Sequence, residues 1–172
     1  MQKTLIVYGT RRGTTADTAQ VIGETLVLKC HHKVDMTDAR HVKKFRKKLA
    51  EYNNIIVGSS IVSGRWVGQA LRFLKKNAFT GQKIAVFVTA GGTINKSLKE
   101  GIPREVMVNE AIQKYIDVYL PKFKFVPVAK TAFGGNVERK GIMKYNNWNR
   151  DEIELWTVNL GNLIEKPQLI QV

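Results

Sequence analysis

The sequence predicts an α/β protein in which five parallel strands form one sheet that helices cover on both faces. Uninterrupted runs of apolar residues indicate strands that are buried on both sides. Between these runs, apolar residues recur every three or four positions, which is the pattern of amphipathic helices. Strands that alternate with helices need crossover connections, and right-handed crossovers place the strands in parallel between two helical layers.

The five predicted strands are short. They lie within residues 3–9, 30–36, 54–60, 83–88 and 123–133. The second is the least regular because His31, His32 and Lys33 enter its apolar pattern. Strand alternation would send the two histidines to opposite faces, so we expect no metal site there. In the fifth run, Pro127 lacks a backbone donor, which places it near the start of the strand.

Amphipathic spacing predicts five helices between and after these strands. Their apolar stripes are Ala16, Ala19, Ile22 and Leu26; Val42, Phe45, Leu49 and Tyr52; Val67, Ala70, Leu71 and Leu74; Val108, Ile112, Tyr115 and Tyr119; and Ile153, Trp156, Leu160 and Leu163. Capping chemistry predicts where four of them begin. The predicted caps or first residues are Thr14 or Thr15, Asp38, Pro103, and Asn149 or Asp151.

The length of 172 residues fits one domain, which we predict to span residues 1–172. No stretch approaches the roughly 18–20 apolar residues that cross a bilayer, and the first residues resemble a strand rather than a secretory signal. Cys30 is the only cysteine, which excludes an internal disulfide and a CxxC site. We therefore expect a cytoplasmic protein, and the sequence leaves its oligomeric state open.

The charge balance is strongly basic. Lysine and arginine number 28 against 14 acidic residues, so the formal net charge is +14. Such a field attracts anions, whether an acidic protein, an anionic membrane or nucleic acid. Two clusters share their segments with regularly spaced apolar residues: Lys43, Lys44, Arg46, Lys47 and Lys48, and then Arg72, Lys75 and Lys76. We interpret them as solvated faces of amphipathic helices rather than as a dedicated binding patch.

Three polar segments follow predicted strands one, three and four, within residues 9–15, 59–66 and 89–93. In open α/β sheets, ligands bind beyond the carboxyl ends of the strands. The first of these segments joins a buried strand to a helix N-terminus, where backbone N–H groups and the helix dipole favour an anion. Its candidate ligand-binding residues are Thr10, Arg11, Arg12, Gly13, Thr14 and Thr15.

This first segment suits a terminal phosphate monoester. Gly13 permits a tight turn that lets N–H groups converge, and the threonine hydroxyls add donors. The Gly-Lys-Ser/Thr ending of a nucleoside-triphosphate loop and the G-x-G-x-x-G spacing of dinucleotide-binding proteins are both absent. The alternative is an ordinary helix cap with a glycine turn.

The sequence Tyr8-Gly9-Thr10-x-x-Gly13-Thr14-Thr15 resembles the FMN-phosphate loop of flavodoxins. The resemblance, which extends from Met1 to about Glu165, implies a three-layer flavodoxin-like sandwich with strand order 2-1-3-4-5. It also implies that FMN is the cofactor and that the loops after strands three and four flank its isoalloxazine ring. Flavodoxins usually carry a hydroxyl residue where this chain has Arg12, which either pairs with the phosphate or faces solvent.

The ring would need flat apolar cover and a few aimed hydrogen-bonding groups. The candidates after strands three and four are Ser59, Ser60, Ile61, Val62, Ser63, Gly64, Trp66, Thr89, Ala90, Gly91, Gly92 and Thr93. Trp66 could supply an aromatic face, with Ile61 or Val62 as aliphatic alternatives. Trp66 could equally be a half-buried aromatic residue that begins a helix. The glycines of residues 89–93 also fit a flexible exit from the strand.

A closer resemblance is to the menaquinone-dependent protoporphyrinogen oxidase branch, carried by Gly58-Ser59-Ser60-Ile61-x-x-Gly64 and by residues 148–153. The leading functional hypothesis is an FMN-binding electron carrier or oxidoreductase with an acidic redox protein as partner. An FMN-dependent protoporphyrinogen oxidase or quinone-linked oxidase is the alternative. Peripheral contact with an anionic membrane fits the charge, and a basic nucleic-acid-binding domain is a distant alternative. No catalytic side chain is expected, since flavin supplies the reactive atoms.

Overall fold

A computed structural model describes residues 1–165. It contains five parallel strands, β1 Lys3–Gly9, β2 Lys33–Asp38, β3 Asn54–Ser60, β4 Lys83–Thr89 and β5 Ala129–Phe133. They form one sheet in the order β2-β1-β3-β4-β5. This confirms the predicted fold class and the strand order that the flavodoxin resemblance implied.

Helices and a hairpin complete the described chain. The α-helices are α1 Thr14–Cys30, α2 Gly68–Lys76, α3 Gly91–Glu100, α4 Arg104–Tyr115 and α5 Arg150–Glu165. Two further segments, Ala39–Glu51 and Asp117–Lys122, form 3₁₀ turns. An antiparallel hairpin, β6 Asn136–Arg139 and β7 Ile142–Asn146, lies between β5 and α5. No helix within residues 1–165 has both the length and the apolarity to span a bilayer.

The sheet has an apolar core on each face. In β1, Leu5 and Val7 pack into one cluster and Ile6 packs into the other. This is the period-two alternation of a strand between two layers. Helices α1 and α5 cover the face of Ile6, and α2, α4 and the first 3₁₀ segment cover the opposite face. The strand segments of the sequence are continuously apolar because residues on both faces of the sheet are buried.

Two predicted starts near the amino end are corrected by the structure. Neither Thr14 nor Thr15 caps α1, because Gly13 is the N-cap with φ 94°, and no side chain of the described residues closes the first turn. The second strand begins at Lys33 rather than at residue 30, because α1 continues to Cys30 and His31 ends it in the left-handed region. The predicted cap at Asp38 is confirmed, since its carboxylate accepts from Arg40 N at 2.7 Å.

Three other expectations differ from the structure. Residues 91–93 belong to a helix rather than to the expected loop, because α3 begins at Gly91, one residue after Ala90 leaves β4. Leu163 is 45% exposed, and Ile164 is buried in its place. The hairpin β6–β7 has no counterpart among the predicted elements. Its two turn residues, Lys140 and Gly141, both have positive φ, as a two-residue hairpin turn of the type I′ class requires.

Candidate functional site

A cleft of about 620 Å³ lies at the carboxyl edge of the sheet, within the usual size range of small-ligand sites. The strand register aligns this edge: Gly9 pairs with Ser59, and Thr89 lies between Ser60 and Phe133. All three polar segments therefore reach the same cleft. The predicted site residues that line it are Thr10, Arg12, Thr14, Ser60, Ile61, Val62, Ser63, Gly64, Thr89, Ala90, Gly91, Gly92 and Thr93.

The turn before α1 is built around Gly13. Its backbone N–H donates to Thr10 Oγ1 at 2.9 Å, and its carbonyl accepts the first helical bond from Asp17 N at 3.0 Å. The first N–H groups of an α-helix have no acceptor within the helix. Because α1 is 17 residues long, its N-terminus combines unpaired donors with the positive end of a helix dipole. This turn therefore gives the cleft an end whose donors and dipole suit an anion.

One predicted site residue beside this turn has a structural role. Thr15 is fully buried, and its hydroxyl contacts Thr89 Oγ1 at 2.7 Å. It therefore ties α1 to β4 and does not line the cleft. Arg11 and Arg12 are both exposed, but only Arg12 lines the cleft. Contact of any of residues 10–15 with a phosphate stays a prediction.

The segment after β3 closes on itself in a tight turn. Val62 and Arg65 exchange backbone hydrogen bonds of 3.0 and 3.1 Å, with Ser63 and Gly64 at the tip in the left-handed region. Ser60 Oγ is buried beside the cleft and has no hydrogen-bond partner within residues 1–165. A buried hydroxyl without a partner costs free energy, which a ligand atom at hydrogen-bonding distance would recover.

Ser59 and Trp66 lie behind the cleft wall instead of in it. Ser59 Oγ accepts from Val67 N at 2.9 Å and donates to Ser60 O at 3.0 Å, so it fixes the turn. Trp66 is 4% exposed, and its Nε1 donates to Tyr115 O at 2.6 Å. The structure therefore places no face of Trp66 in the cleft, because its indole is held in the core by a carbonyl from α4.

The N-terminus of α3 forms the opposite wall. Ala90 N donates to Phe133 O at 2.9 Å, which directs the chain from β4 into the helix. A Cβ at Gly91 would lie 2.9 Å from both Gly135 N and Tyr145 Cε2, so this position has room only for glycine. The close approach brings the hairpin against α3 and gives the cleft a third wall.

Sequence reasoning missed this third wall and the lysines of α3 and α4. The additional lining residues are Asn95, Lys96, Lys99, Lys114, Tyr115, Gly135, Asn136, Val137, Arg139, Lys144 and Tyr145. The Lys140-Gly141 pair is the signal that could have indicated the hairpin turn. The lysines of α3 had no signal, because the glycines of residues 89–93 indicate a loop and not the start of a helix. Lys114 lies in a helix that was predicted, but its spacing does not show that this side of the helix reaches the cleft.

The cleft is electropositive. Among the described residues, six cationic side chains and no carboxylate line it, namely Arg12, Lys96, Lys99, Lys114, Arg139 and Lys144. Lys96 has an acidic neighbour outside the lining, Glu110, at 3.7 Å. Burial raises the pKa of the Tyr145 phenol, and the nearby Arg12 and Arg139 partly oppose that rise. The cleft therefore favours an anionic ligand.

The fold and the cleft define a class, the parallel α/β proteins that bind a phosphorylated ligand at the carboxyl edge of the sheet. A sequence profile of the flavodoxin domain matches residues 5–159, and the chain belongs to this family. FMN is the cofactor of that family. Among curated protein sequences, none matches this chain significantly.

Solved structures show the same fold at low sequence identity. A short-chain flavodoxin associated with a non-canonical PDU bacterial microcompartment has a TM-score of 0.61 and 13% identity, over 96% of this chain and 100% of its own. Oxidised flavodoxin 2 from Bacillus cereus has a TM-score of 0.56 and 19% identity, over 94% of this chain and 97% of its own. Rubredoxin oxygen:oxidoreductase from Desulfovibrio gigas has a TM-score of 0.59 and 15% identity over 96% of this chain, which spans 36% of that oxidoreductase.

Proposed function

We propose that this chain holds FMN in the cleft and transfers electrons through it for a protein partner. The observation that carries the proposal is the convergence of two helix N-termini, those of α1 and α3, on one cleft. One would face a phosphate and the other a polar ring edge. When bound, FMN supplies the redox chemistry, and the protein supplies binding, orientation and electrostatics.

The phosphate end of the ligand would lie at the turn before α1. Thr10 Oγ1 already accepts from Gly13 N, so its hydroxyl hydrogen remains available to donate to a phosphate oxygen. The first N–H groups of α1 would point at the same anion. Arg12 lies at the cleft surface and would add a charge-assisted hydrogen bond.

The ring end would lie between the segment after β3 and the start of α3. Ile61 and Val62 offer aliphatic contact from one side. Ser60 Oγ, buried without a partner among the described residues, offers the hydrogen bond that a ring heteroatom would satisfy. The N–H groups at Gly91 and Gly92 would meet the pyrimidine edge. These residues therefore fit FMN on both its charged and its planar part.

The proposal is tested by titrating the purified chain with FMN and with riboflavin while flavin fluorescence is recorded. We expect FMN to bind with a stoichiometry of one and more tightly than riboflavin, because only FMN carries the phosphate. The bound flavin should be reducible by dithionite and reoxidised by added acceptors. A chain that binds neither flavin would refute the proposed function.

An acidic redox protein is the partner that the charge favours. The six cations that line the cleft are all exposed, so an acidic face would be drawn to the cleft from which electrons would leave. A Lys99→Gln/Lys144→Gln double variant should lower the electron-transfer rate to an acidic rubredoxin by roughly 3- to 10-fold at low salt. The Lys43→Gln/Lys47→Gln variant has the same net charge and replaces exposed lysines away from the cleft. An equal loss in both variants would show that only the total charge matters.

A small anionic substrate is the second candidate, because six cations line the cleft itself. Protoporphyrinogen, which carries carboxylates, would then be oxidised with a quinone as final acceptor. Steady turnover of protoporphyrinogen with a quinone by the FMN-loaded protein would favour this oxidase over the electron carrier. No turnover would leave the carrier as the better proposal. The chain's membership of an FMN-binding family does not favour the distant nucleic-acid alternative.

We also propose a cytoplasmic location with transient contact to an anionic membrane. Cys30 is a free thiol, which suits a reducing compartment. The exposed Ile142 and Met143 at the hairpin tip have cationic neighbours at Lys140 and Lys144. Sedimentation with vesicles that contain anionic lipid, compared with neutral vesicles, tests the membrane contact. Equal sedimentation with both would refute it.

A further inference from the structure

The cleft has few flat surfaces against which a ring system could pack. Among the described residues, only two aromatic side chains line it, Tyr115 and Tyr145. Tyr115 is 7% exposed, belongs to the apolar core, and has its hydroxyl 3.2 Å from Thr93 Oγ1. Trp66 lies outside the lining. The segments after β3 and β4 therefore present no aromatic face to the cleft.

Tyr145 is placed differently. It is half-buried, lies on β7, and pairs in register with Val137 of β6. Its ring edge lies against the first turn of α3, where a Cβ on Gly91 would be 2.9 Å from Cε2 and a Cβ on Gly92 would be 3.4 Å from the hydroxyl. The two glycines leave room for an aromatic ring beside the helix N-terminus, where the ring lines the cleft.

The base of the hairpin is fixed to both helix N-termini that form the site. Asn147 is buried, donates to Gly91 O at 2.9 Å and accepts from Gly135 N at 2.8 Å. At the other strand, Thr14 Oγ1 donates to Asn136 Oδ1 at 3.0 Å. These bonds set the position of Tyr145 relative to α1 and α3 at the same time. The hairpin is thus a fixed wall of the cleft and not a loose excursion.

We infer that Tyr145 is the aromatic wall of the ligand site, with its ring packed against the flat ring system of the cofactor. The inference rests on the proposed binding of FMN. It assigns to the hairpin the ring contact that Trp66 does not make. An offset aromatic contact stabilises both FMN and riboflavin, because it does not involve the phosphate.

The test compares Tyr145→Phe, Tyr145→Leu and a control, Tyr119→Leu, which removes a tyrosine outside the cleft lining. Affinities for FMN and riboflavin and the fluorescence of bound FMN are measured for each. Tyr145→Leu should weaken both ligands alike, by about 3- to 10-fold, and Tyr145→Phe should change either affinity less than about twofold. Because a phenol ring donates an electron to an excited flavin and a benzene ring does not, both Tyr145 variants should brighten bound FMN severalfold.

The outcomes separate this inference from the proposed function. If the wild-type chain binds no flavin, the proposed function and the ring contact of Tyr145 are both refuted. If it binds FMN but Tyr145→Phe leaves the fluorescence unchanged and Tyr145→Leu behaves like Tyr119→Leu, only the ring contact is overturned. A purely structural role of Tyr145 in the hairpin would lower thermal stability in Tyr145→Leu without brightening FMN in Tyr145→Phe. Thermal unfolding of each variant completes the comparison.

Discussion

Replacement of Gly13 by valine should separate the phosphate from the rest of the ligand. Gly13 has φ 94° and lies at the turn before α1, and apart from its chain neighbours no described atom lies within 4 Å of the place that a Cβ would take. A Cβ at this position therefore meets no clash, and the main effect of the substitution is on the backbone conformation. A non-glycine residue in the left-handed region costs about 1–2 kcal/mol, and a β-branched residue lies at the upper end.

The same strain determines the loss of affinity. A turn that relaxes to negative φ turns its N–H groups away from the anion and loses the bond from Gly13 N to Thr10 Oγ1. Ligand binding must then restore the strained turn, so FMN should bind about 5- to 30-fold more weakly, which is the strain of about 1–2 kcal/mol expressed as an affinity. Riboflavin has no phosphate and should lose less than about twofold.

The matched control is Gly81→Val. Gly81 also has a left-handed φ, of 89°, and no described atom near a Cβ, but it precedes β4 at the opposite edge of the sheet. Both variants should lose free energy of unfolding in urea, Gly13→Val by less than its full strain because its turn relaxes, whereas only Gly13→Val should lose preference for FMN over riboflavin in fluorescence titrations. If Gly13→Val weakens the two flavins equally, or if Gly81→Val weakens FMN as much, the turn before α1 is not the phosphate site.

Two other perturbations test the packing of the site and the pH response of the fold. Gly91→Ala should lower the free energy of unfolding in urea by about 1–3 kcal/mol and weaken FMN binding, because its Cβ would meet Gly135 N and Tyr145 Cε2 at 2.9 Å. Gly92→Ala should destabilise the fold less, because the atom nearest to its Cβ is 3.4 Å away. Equal losses of stability in the two variants would refute the close approach at Gly91. Burial lowers the pKa of His32, and Glu165 opposes that shift. Neutral His32 therefore stabilises the fold fully above the unfolded-state pKa of about 6.5, and this stabilisation is lost as the pH falls toward the lower, folded-state pKa. Thermal midpoints should therefore fall less between about pH 8 and pH 5 in His32→Gln than in the wild-type chain, and parallel curves would contradict this assignment.

Much of the sheet and one end of the site are local in the sequence. An uninterrupted apolar run such as Leu5 to Val7 indicates a strand that is buried on both sides. The alternation of strands with helices then implies the parallel arrangement. The turn at Gly13 is equally local, because a glycine between a buried strand and an amphipathic stripe is itself the signal. These features were predictable because each depends on neighbours within about one turn or strand.

The errors in the helices have a different origin. In α5 the buried stripe runs through Thr157 to Ile164, one position away from the predicted Leu163. A search for apolar residues at helical spacing leaves Thr157 out. Thr157 is nevertheless buried, because its Oγ1 donates to Ile153 O at 2.7 Å and the hydroxyl is therefore satisfied. The start of α3 reads as a loop because glycine is a poor helix former. There the bond from Ala90 N to Phe133 O and the packing of the hairpin outweigh propensity.

The rest of the site depends on contacts between residues far apart in the chain. Trp66 turns inward because a carbonyl 49 residues away, that of Tyr115, accepts from its indole. Asn147 looks like a surface residue in a polar segment, yet it is buried and joins the hairpin to Gly91, 56 residues earlier. Neither of these two hydrogen bonds can be recognised in the sequence, because a single hydrogen bond between distant residues imposes no repeating pattern on its surroundings. If Asn147→Ala releases the hairpin, the bound ring should lose the contact assigned to Tyr145 while the phosphate contacts persist, so riboflavin affinity should fall proportionally as much as FMN affinity.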